Sequence, residues 1–217
     1  MRGEIICASL TRAEEVEKAN EADLVEVRID LLGPRWVKVI EQVKKAWIAC
    51  NRSVDEGGAW SGSEERRVRE LLKAVELGAF MIDLELRTKG LKELVLQLKD
   101  NGVKCIISHH ILSHTPSLER LRDLVRRMIA SGADVLKIAT MVRRVEDNIK
   151  LLELLREFEA PGIAIGMGDL GIVSRLLSPL LGGFMTYAAT SQQYKAAPGQ
   201  LTLEEMKRIY KLMGVYQ

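Results

Sequence analysis

The stretch SLERLRDLVRRMIASGADVLKIAT, residues 117–140, contains one whole helix-to-strand unit. Its first part, SLERLRDLVRRMIASG, spaces apolar residues at i, i+3 and i+4, the pattern of an amphipathic helix. That pattern stops at Gly132, and the apolar run ADVLKIA begins at once. A helix closing on glycine directly before a strand is the αβ connection of a βαβ unit. The same punctuation recurs at Gly78 and Gly102.

Working outward, eight strand-like runs are found: EIICAS, DLVEVRI, AWIACN, AFMIDLEL, VKCIIS, ADVLKIA, GIAIG and GGFMTYA. Each is followed by a charged segment of helical periodicity, from RAEEVEKAN and RWVKVIEQVKK near the start to LGIVSRLLSPLLG and TLEEMKRIYKLM near the end. Eight β-then-α units with nearly continuous apolar strands describe an α/β fold, a (β/α)8 TIM barrel, at the small end of its size range. A doubly wound open sheet is the alternative, but five or six strands would suffice for it. No linker or second domain interrupts the chain, so residues 1–217 are read as a single catalytic barrel domain.

Composition narrows the function classes. The 217 residues are 47% hydrophobic, enough for one sizeable core. Lys plus Arg (32) nearly balances Asp plus Glu (30), so no global field attracts nucleic acid or an anionic membrane surface. The apolar run in MRGEIICASL is too short for a signal peptide or a membrane span, and a cytoplasmic protein is expected. Cys7, Cys50 and Cys105 are odd in number, far apart and without C-x-x-C spacing, which suits buried core thiols better than disulfides or a zinc site.

In a barrel of this kind, chemistry gathers at the C-terminal ends of the strands and in the loops that follow. Those positions hold Ser9, Glu26 and Arg28, Arg52, Asp83 and Glu85, the pair His109–His110, and Lys137. Lys137 stands among Val135, Leu136, Ile138 and Ala139, where it either snorkels to a partner or serves as a desolvated amine able to attack a carbonyl. In EVRID, period-2 spacing puts Glu26, Arg28 and Asp30 on one strand face, either as a structural ion pair or as a polar wall for substrate. The glycine-rich loop NRSVDEGGAWSG brings Arg52 within reach of an anion or hydroxyl, and its two glycines let Glu56 approach a neighbour closely. A histidine one βα unit before Lys137 is a plausible acid/base. Arg175 follows the turn GMGDLG, where phosphate or carboxylate would fit equally.

EVRID, RSVDEGG, SHH, KIAT, MGDLGIVSR and AAPGQLT, in this order and spacing, resemble the type I 3-dehydroquinate dehydratase family, the Schiff-base dehydratases of the shikimate pathway. The resemblance implies a barrel, a homodimer in many members, no metal or organic cofactor, and 3-dehydroquinate as the small-molecule substrate. It further implies Lys137 as the imine-forming lysine, His110 as general acid/base and Glu56 as its support. Glu26, Arg28, Arg52, Arg175, Gln200 and Ser9 would bind substrate. Where many members carry a serine that touches substrate, this chain has Ala196. The long segment 189–200 is expected to be a mobile lid without an apolar anchor. A class I aldolase-like barrel would use the same lysine chemistry, and a barrel that only binds a polyol acid would use Lys137 as an ion-pair partner.

Overall fold

The structure, a computed structural model, describes residues 5–215. Glu4, the first residue of the expected first strand, lies outside them. Eight parallel strands run β1 (Ile6–Leu10), β2 (Leu24–Arg28), β3 (Trp47–Cys50), β4 (Met81–Glu85), β5 (Lys104–Ile111), β6 (Val135–Met141), β7 (Gly162–Met167) and β8 (Thr186–Ala189). Their spatial order is β7-β6-β5-β4-β3-β2-β1-β8, so the sheet curls through seven parallel ladders into a nearly closed barrel. Among the described residues no ladder joins β7 to β8. There the Phe184 N–H donates to the Gly162 carbonyl at 2.8 Å.

The helices are α1 (Val16–Ala19), α2 (Ile29–Leu32), α3 (Trp36–Ile40), α4 (Glu64–Glu76), α5 (Leu91–Asp100), α6 (Leu118–Ala130), α7 (Glu146–Arg156), α8 (Ile172–Leu180) and α9 (Leu203–Leu212). The side-chain hydroxyls of Ser63, Ser117 and Thr202 cap α4, α6 and α9, each satisfying a backbone N–H that the first turn leaves free. The helical pattern expected over 35–45 is realised in α3 only as far as Ile40. Beyond it Gln42 and Val43 bond to carbonyls three residues back, and the chain turns toward β3.

Alternation along the strands sorts residues into two layers. Val25, Val27, Leu136 and Ile138 face outward against Leu121, Leu124, Leu151 and the other buried faces of the helices. Cys7, Ile48, Met81, Ile106, Val135, Ile163 and Met185 face inward and fill the lower barrel. Further along the same strands the inward column turns polar: Leu24 gives way to Glu26, Met81 to Asp83, Ile106 to Ser108 and Val135 to Lys137. The apolar plug below and the polar layer above together define a floor on which a site can stand. No helix among the described residues is long and apolar enough to cross a membrane.

One expectation is corrected. Asp30 does not continue the inward face of β2, because the chain becomes helical at Ile29. From α2 its carboxylate reaches back to grip Arg28, with Nε at 3.0 Å and Nη2 at 2.7 Å.

Candidate active site

A cavity of about 310 Å³ opens at the C-terminal mouth of the barrel, a volume at the lower end of small-molecule sites. Of the expected site residues, Ser9, Glu26, Arg28, Arg52, Glu56, His110, Lys137, Arg175 and Gln200 all line it. The geometry brings together every member of the set.

Lys137, only 4% exposed, sends Nζ to Asp83 Oδ2 at 2.9 Å and Glu26 Oε1 at 3.2 Å. Burial alone would depress an ammonium, but Asp83 and Glu26 outweigh it, and the pKa of Lys137 is raised above the ordinary value. The idea that desolvation keeps this amine neutral is therefore corrected: Asp83 and Glu26 hold Nζ as a cation. Glu26 Oε2 in turn accepts from Ser9 Oγ at 2.9 Å, and Gln200 Nε2 donates to Ser9 Oγ at 3.1 Å. A hydrogen-bonded row thus runs from Gln200 through Ser9 and Glu26 to the lysine.

Arg52 lines the cavity and is held by protein groups. It donates to Asp83 Oδ1 at 2.7 Å and Ser108 Oγ at 2.8 Å, and reaches Glu56 Oε2 at 3.4 Å. Asp83 stays well below the usual carboxylate range despite burial, because Arg52 and Lys137 face it. Glu56 ends a short helical turn, Val54–Glu56, followed by Gly57 at φ +81°. At Gly58 a Cβ would come within 2.0 Å of the Arg52 carbonyl oxygen, so the loop folds this tightly only with glycine there.

Glu56 Oε2 accepts from the His110 backbone N–H at 3.1 Å and lies 2.9 Å from His110 Nδ1. With a carboxylate accepting at Nδ1, the hydrogen sits on that nitrogen and Nε2 is the basic atom. Burial first, then Arg52 and Lys137, draw His110 down to about 4, against the opposing pull of Glu56. The ring is therefore neutral near physiological pH. Glu56 is held well below the carboxylate range in spite of its burial, by His109, His110 and Arg52. His109 stands at the rim, its Nδ1 3.3 Å from Glu56 Oε1, and the cavity wall includes His110 in its place.

Arg175, on α8, is 1% exposed. Among the described residues no carboxylate faces its guanidinium, and Nε is buried without an acceptor. Burial accordingly pulls Arg175 down to about 10. An unpaired buried cation on a cavity wall is a seat for an anion.

The oxygens of Glu26 and Asp83 and the sulfur of Cys50 lie within 4.8 Å of one another, a spacing that could hold a metal ion. Here the Lys137 ammonium takes the cation's place between the two carboxylates. The Cys50 thiol, pushed up to about 12 chiefly by burial, stays protonated. Cys7, Cys50 and Cys105 are buried and unpaired, as core thiols should be.

Segment 190–200 has no helix or strand, while Ala189, the first residue of the expected lid, belongs to β8. Thr11 Oγ1 donates to the Tyr194 carbonyl at 3.2 Å, the Ala196 N–H to Gln200 Oε1 at 2.8 Å, and the Gly168 N–H to the Pro198 carbonyl at 3.1 Å. Polar and backbone bonds anchor the loop, and hydrophobic periodicity does not reveal them. Ala196, Ala197 and Pro198 form the cavity's outer wall.

Two site residues went unassigned in the sequence. Asp83 was visible as a strand-end carboxylate, but its contact with Lys137 reaches past β5 from β4 to β6. Tyr187, on the inward face of β8, places its ring centre 4.1 Å from Lys137 Nζ. The period-2 pattern of GGFMTYA already put Met185 and Tyr187 on one face, which was the available signal.

A (β/α)8 barrel with ionisable side chains converging on a cavity at the C-terminal mouth has the layout of a barrel enzyme. Residues 6–217 match the family model described as type I 3-dehydroquinase, and the chain belongs to that family. It is 40% identical over 215 residues to a protein of Dehalococcoides mccartyi named 3-dehydroquinate dehydratase, covering 97% of this chain and 96% of that one. A Methanocaldococcus jannaschii protein of the same name is 37% identical over 197 residues, 89% of each chain. Among solved structures, the 3-dehydroquinate dehydratase of Aquifex aeolicus superposes with a TM-score of 0.81 at 31% identity, covering 96% of this chain and 98% of that one. The type I enzyme of Clostridium difficile, crystallised with covalently modified comenic acid, gives 0.86 at 26% identity, covering 97% and 92%.

Proposed function

We propose that the protein is a hydro-lyase converting 3-dehydroquinate to 3-dehydroshikimate and water through an imine on Lys137, a step of the shikimate pathway to aromatic amino acids. The observation that carries this reading is the meeting of a buried lysine, a neutral histidine and an unpartnered guanidinium in one small cavity. Arg175 takes the substrate carboxylate in a forked pair, which compensates its buried charge. Arg28, Ser9, Gln200 and Glu26 offer donors and acceptors to the hydroxyls, and Arg52 keeps Asp83 and Glu56 in place.

The Lys137 ammonium first gives one proton to the neutral His110 at Nε2, the amine so freed attacks the ketone carbon, and the carbonyl oxygen leaves as water with the proton returned by His110 and a second one from Nζ. The iminium that remains withdraws electrons, so the neighbouring C–H becomes acidic enough for His110 Nε2 to remove. The resulting enamine expels the β-hydroxyl, which takes the proton from His110 and departs as the second water. Hydrolysis of the product iminium returns the first water and frees Lys137, so the net loss is one water. Glu56 keeps Nδ1 protonated throughout, leaving Nε2 for the substrate.

The same reading takes the enzyme as a cytoplasmic homodimer without metal or organic cofactor. Unpaired buried thiols suit a reducing compartment, and sedimentation checks the dimer. The direct test is borohydride reduction in the presence of 3-dehydroquinate, with mass spectrometry to locate the adduct and ultraviolet absorbance to follow the conjugated product. An adduct on Lys137 is expected, and Lys137→Ala should lose adduct and turnover together. Near wild-type turnover in that variant would overturn the mechanism.

A further inference from the structure

Tyr187 is paired in register with Cys7 of β1 and is 3% exposed. Its hydroxyl is buried without a hydrogen-bond partner among the described residues, so the polar end does not account for its position. What the residue does offer is its face, with Lys137 Nζ 4.1 Å from the ring centre. That is well inside the roughly 6 Å over which a cation is attracted to an aromatic ring.

We infer that the face of Tyr187 is a platform for the reacting nitrogen, holding the ammonium in the free protein and the iminium that succeeds it. The second half rests on the Schiff-base reading; the first does not. A carboxylate holds a lysine nitrogen through its N–H bonds. The ammonium has three, enough for Asp83 and Glu26 together, whereas the iminium keeps one and loses at least one of those partners. The attraction of a ring to positive charge needs no N–H, so it persists when the nitrogen becomes trigonal. A flat iminium also matches a flat aromatic face better than it matches a point acceptor.

The groups that bear on Nζ come from every side of the barrel. Burial disfavours the cation; Asp83 and Glu26 favour it; Arg52 opposes it, and Cys50 would favour it only as a thiolate. Cys7 and His110 are the remaining neighbours whose charge is coupled to the lysine. A substitution at 187 removes none of these charged groups, and Leu and Met keep an apolar side chain beside Nζ, so the comparison with Phe bears on the ring.

The test compares the wild type with Tyr187→Phe, Tyr187→Leu and Tyr187→Met. Without substrate, cyanate labels neutral amines, and its pH profile at Lys137, read by mass spectrometry, reports where the ammonium gives up its proton. Loss of a desolvated cation–ring contact should make the cation about 30-fold easier to deprotonate, moving the labelling midpoint down by roughly 1.5 pH units in the Leu and Met variants. The alkaline limb of kcat with 3-dehydroquinate, which reports the bound iminium, should move down by a similar amount. Tyr187→Phe should restore both positions, since it keeps the ring and deletes only an unpartnered hydroxyl. The Met variant carries the comparison if Leu fails to fold. An unchanged cyanate midpoint in the folded non-aromatic variant overturns the platform, as does a Phe variant shifted as far as Leu. Absence of a borohydride adduct on the wild type overturns the Schiff-base reading and the iminium half with it, while the cyanate result still decides the ammonium half.

Discussion

Replacing Arg175 with methionine should make the protein more stable and nearly unable to hold its substrate. The guanidinium is 1% exposed and faces no carboxylate among the described residues. Burial draws its pKa from the ordinary 12.5 down to about 10. At about 1.4 kcal/mol for each tenfold, such a fall corresponds to roughly 3 kcal/mol by which the folded state disfavours the charged form. Because the folded pKa is the lower one, this penalty is complete near neutral pH and is relieved only as the pH rises past about 10. Methionine fills a similar volume without a charge, and some of the gain is lost to imperfect packing, leaving a net stabilisation of about 1 to 3 kcal/mol. For a chain of this size that is an increase in Tm of roughly 2 to 4 °C per kcal/mol. Substrate meanwhile loses a charged two-bond contact, which should raise KM about 100-fold or more. Urea unfolding of both proteins, with and without a small carboxylate ligand, separates the two effects, since only the wild type should be stabilised by the ligand. A variant that is destabilised like an ordinary core substitution and binds substrate normally would refute the reasoning.

The neutral state of His110 persists down to about pH 4, so kcat/KM should be level above pH 5 and fall only near pH 4; an acid limb near the ordinary 6.5 would mean the ring is not desolvated as described. His110→Ala should lower turnover by roughly 10² to 10⁴ while an imine still forms, visible as trapped adduct that accumulates; if His109→Ala is the crippled variant instead, the roles of the pair are reversed. Ala196→Ser places a hydroxyl on the cavity's outer wall and should tighten substrate by about 0.5 to 1.5 kcal/mol, measurable by calorimetry, with no gain expected if the loop stands away from bound substrate.

Much of this was legible in the sequence because each strand stands out as an apolar run and several helices close on glycine, as at Gly78, Gly102 and Gly132. All eight strands lie where apolar runs placed them, and every residue expected in the site lines the cavity. What was hidden depended on partners distant in the chain. Lys137 looked like an amine kept neutral by burial, since the octapeptide shows the apolar neighbours but not Asp83, 54 residues away, or Glu26, 111 residues away. Asp30 looked like a strand residue because nothing local reveals that the ladder with β3 ends at the Arg28–Cys50 pair. The loop over 190–200 looked untethered because backbone and amide bonds leave no periodic trace.

The joint between β7 and β8 gives the barrel a grain. Seven of its sides are sewn by ladders, and the eighth, with no ladder among the described residues, carries the Phe184 to Gly162 bond. The joint is the split in an otherwise continuous ring. The helix spanning the split is α8, which carries Arg175, and the loops leaving β7 and β8 meet above it where Gly199 lies against the backbone of Gly168. An anion seated on Arg175 and touched by the loop from β8 would act as a rivet across the split, so that occupancy of the site and closure of the cylinder become one event.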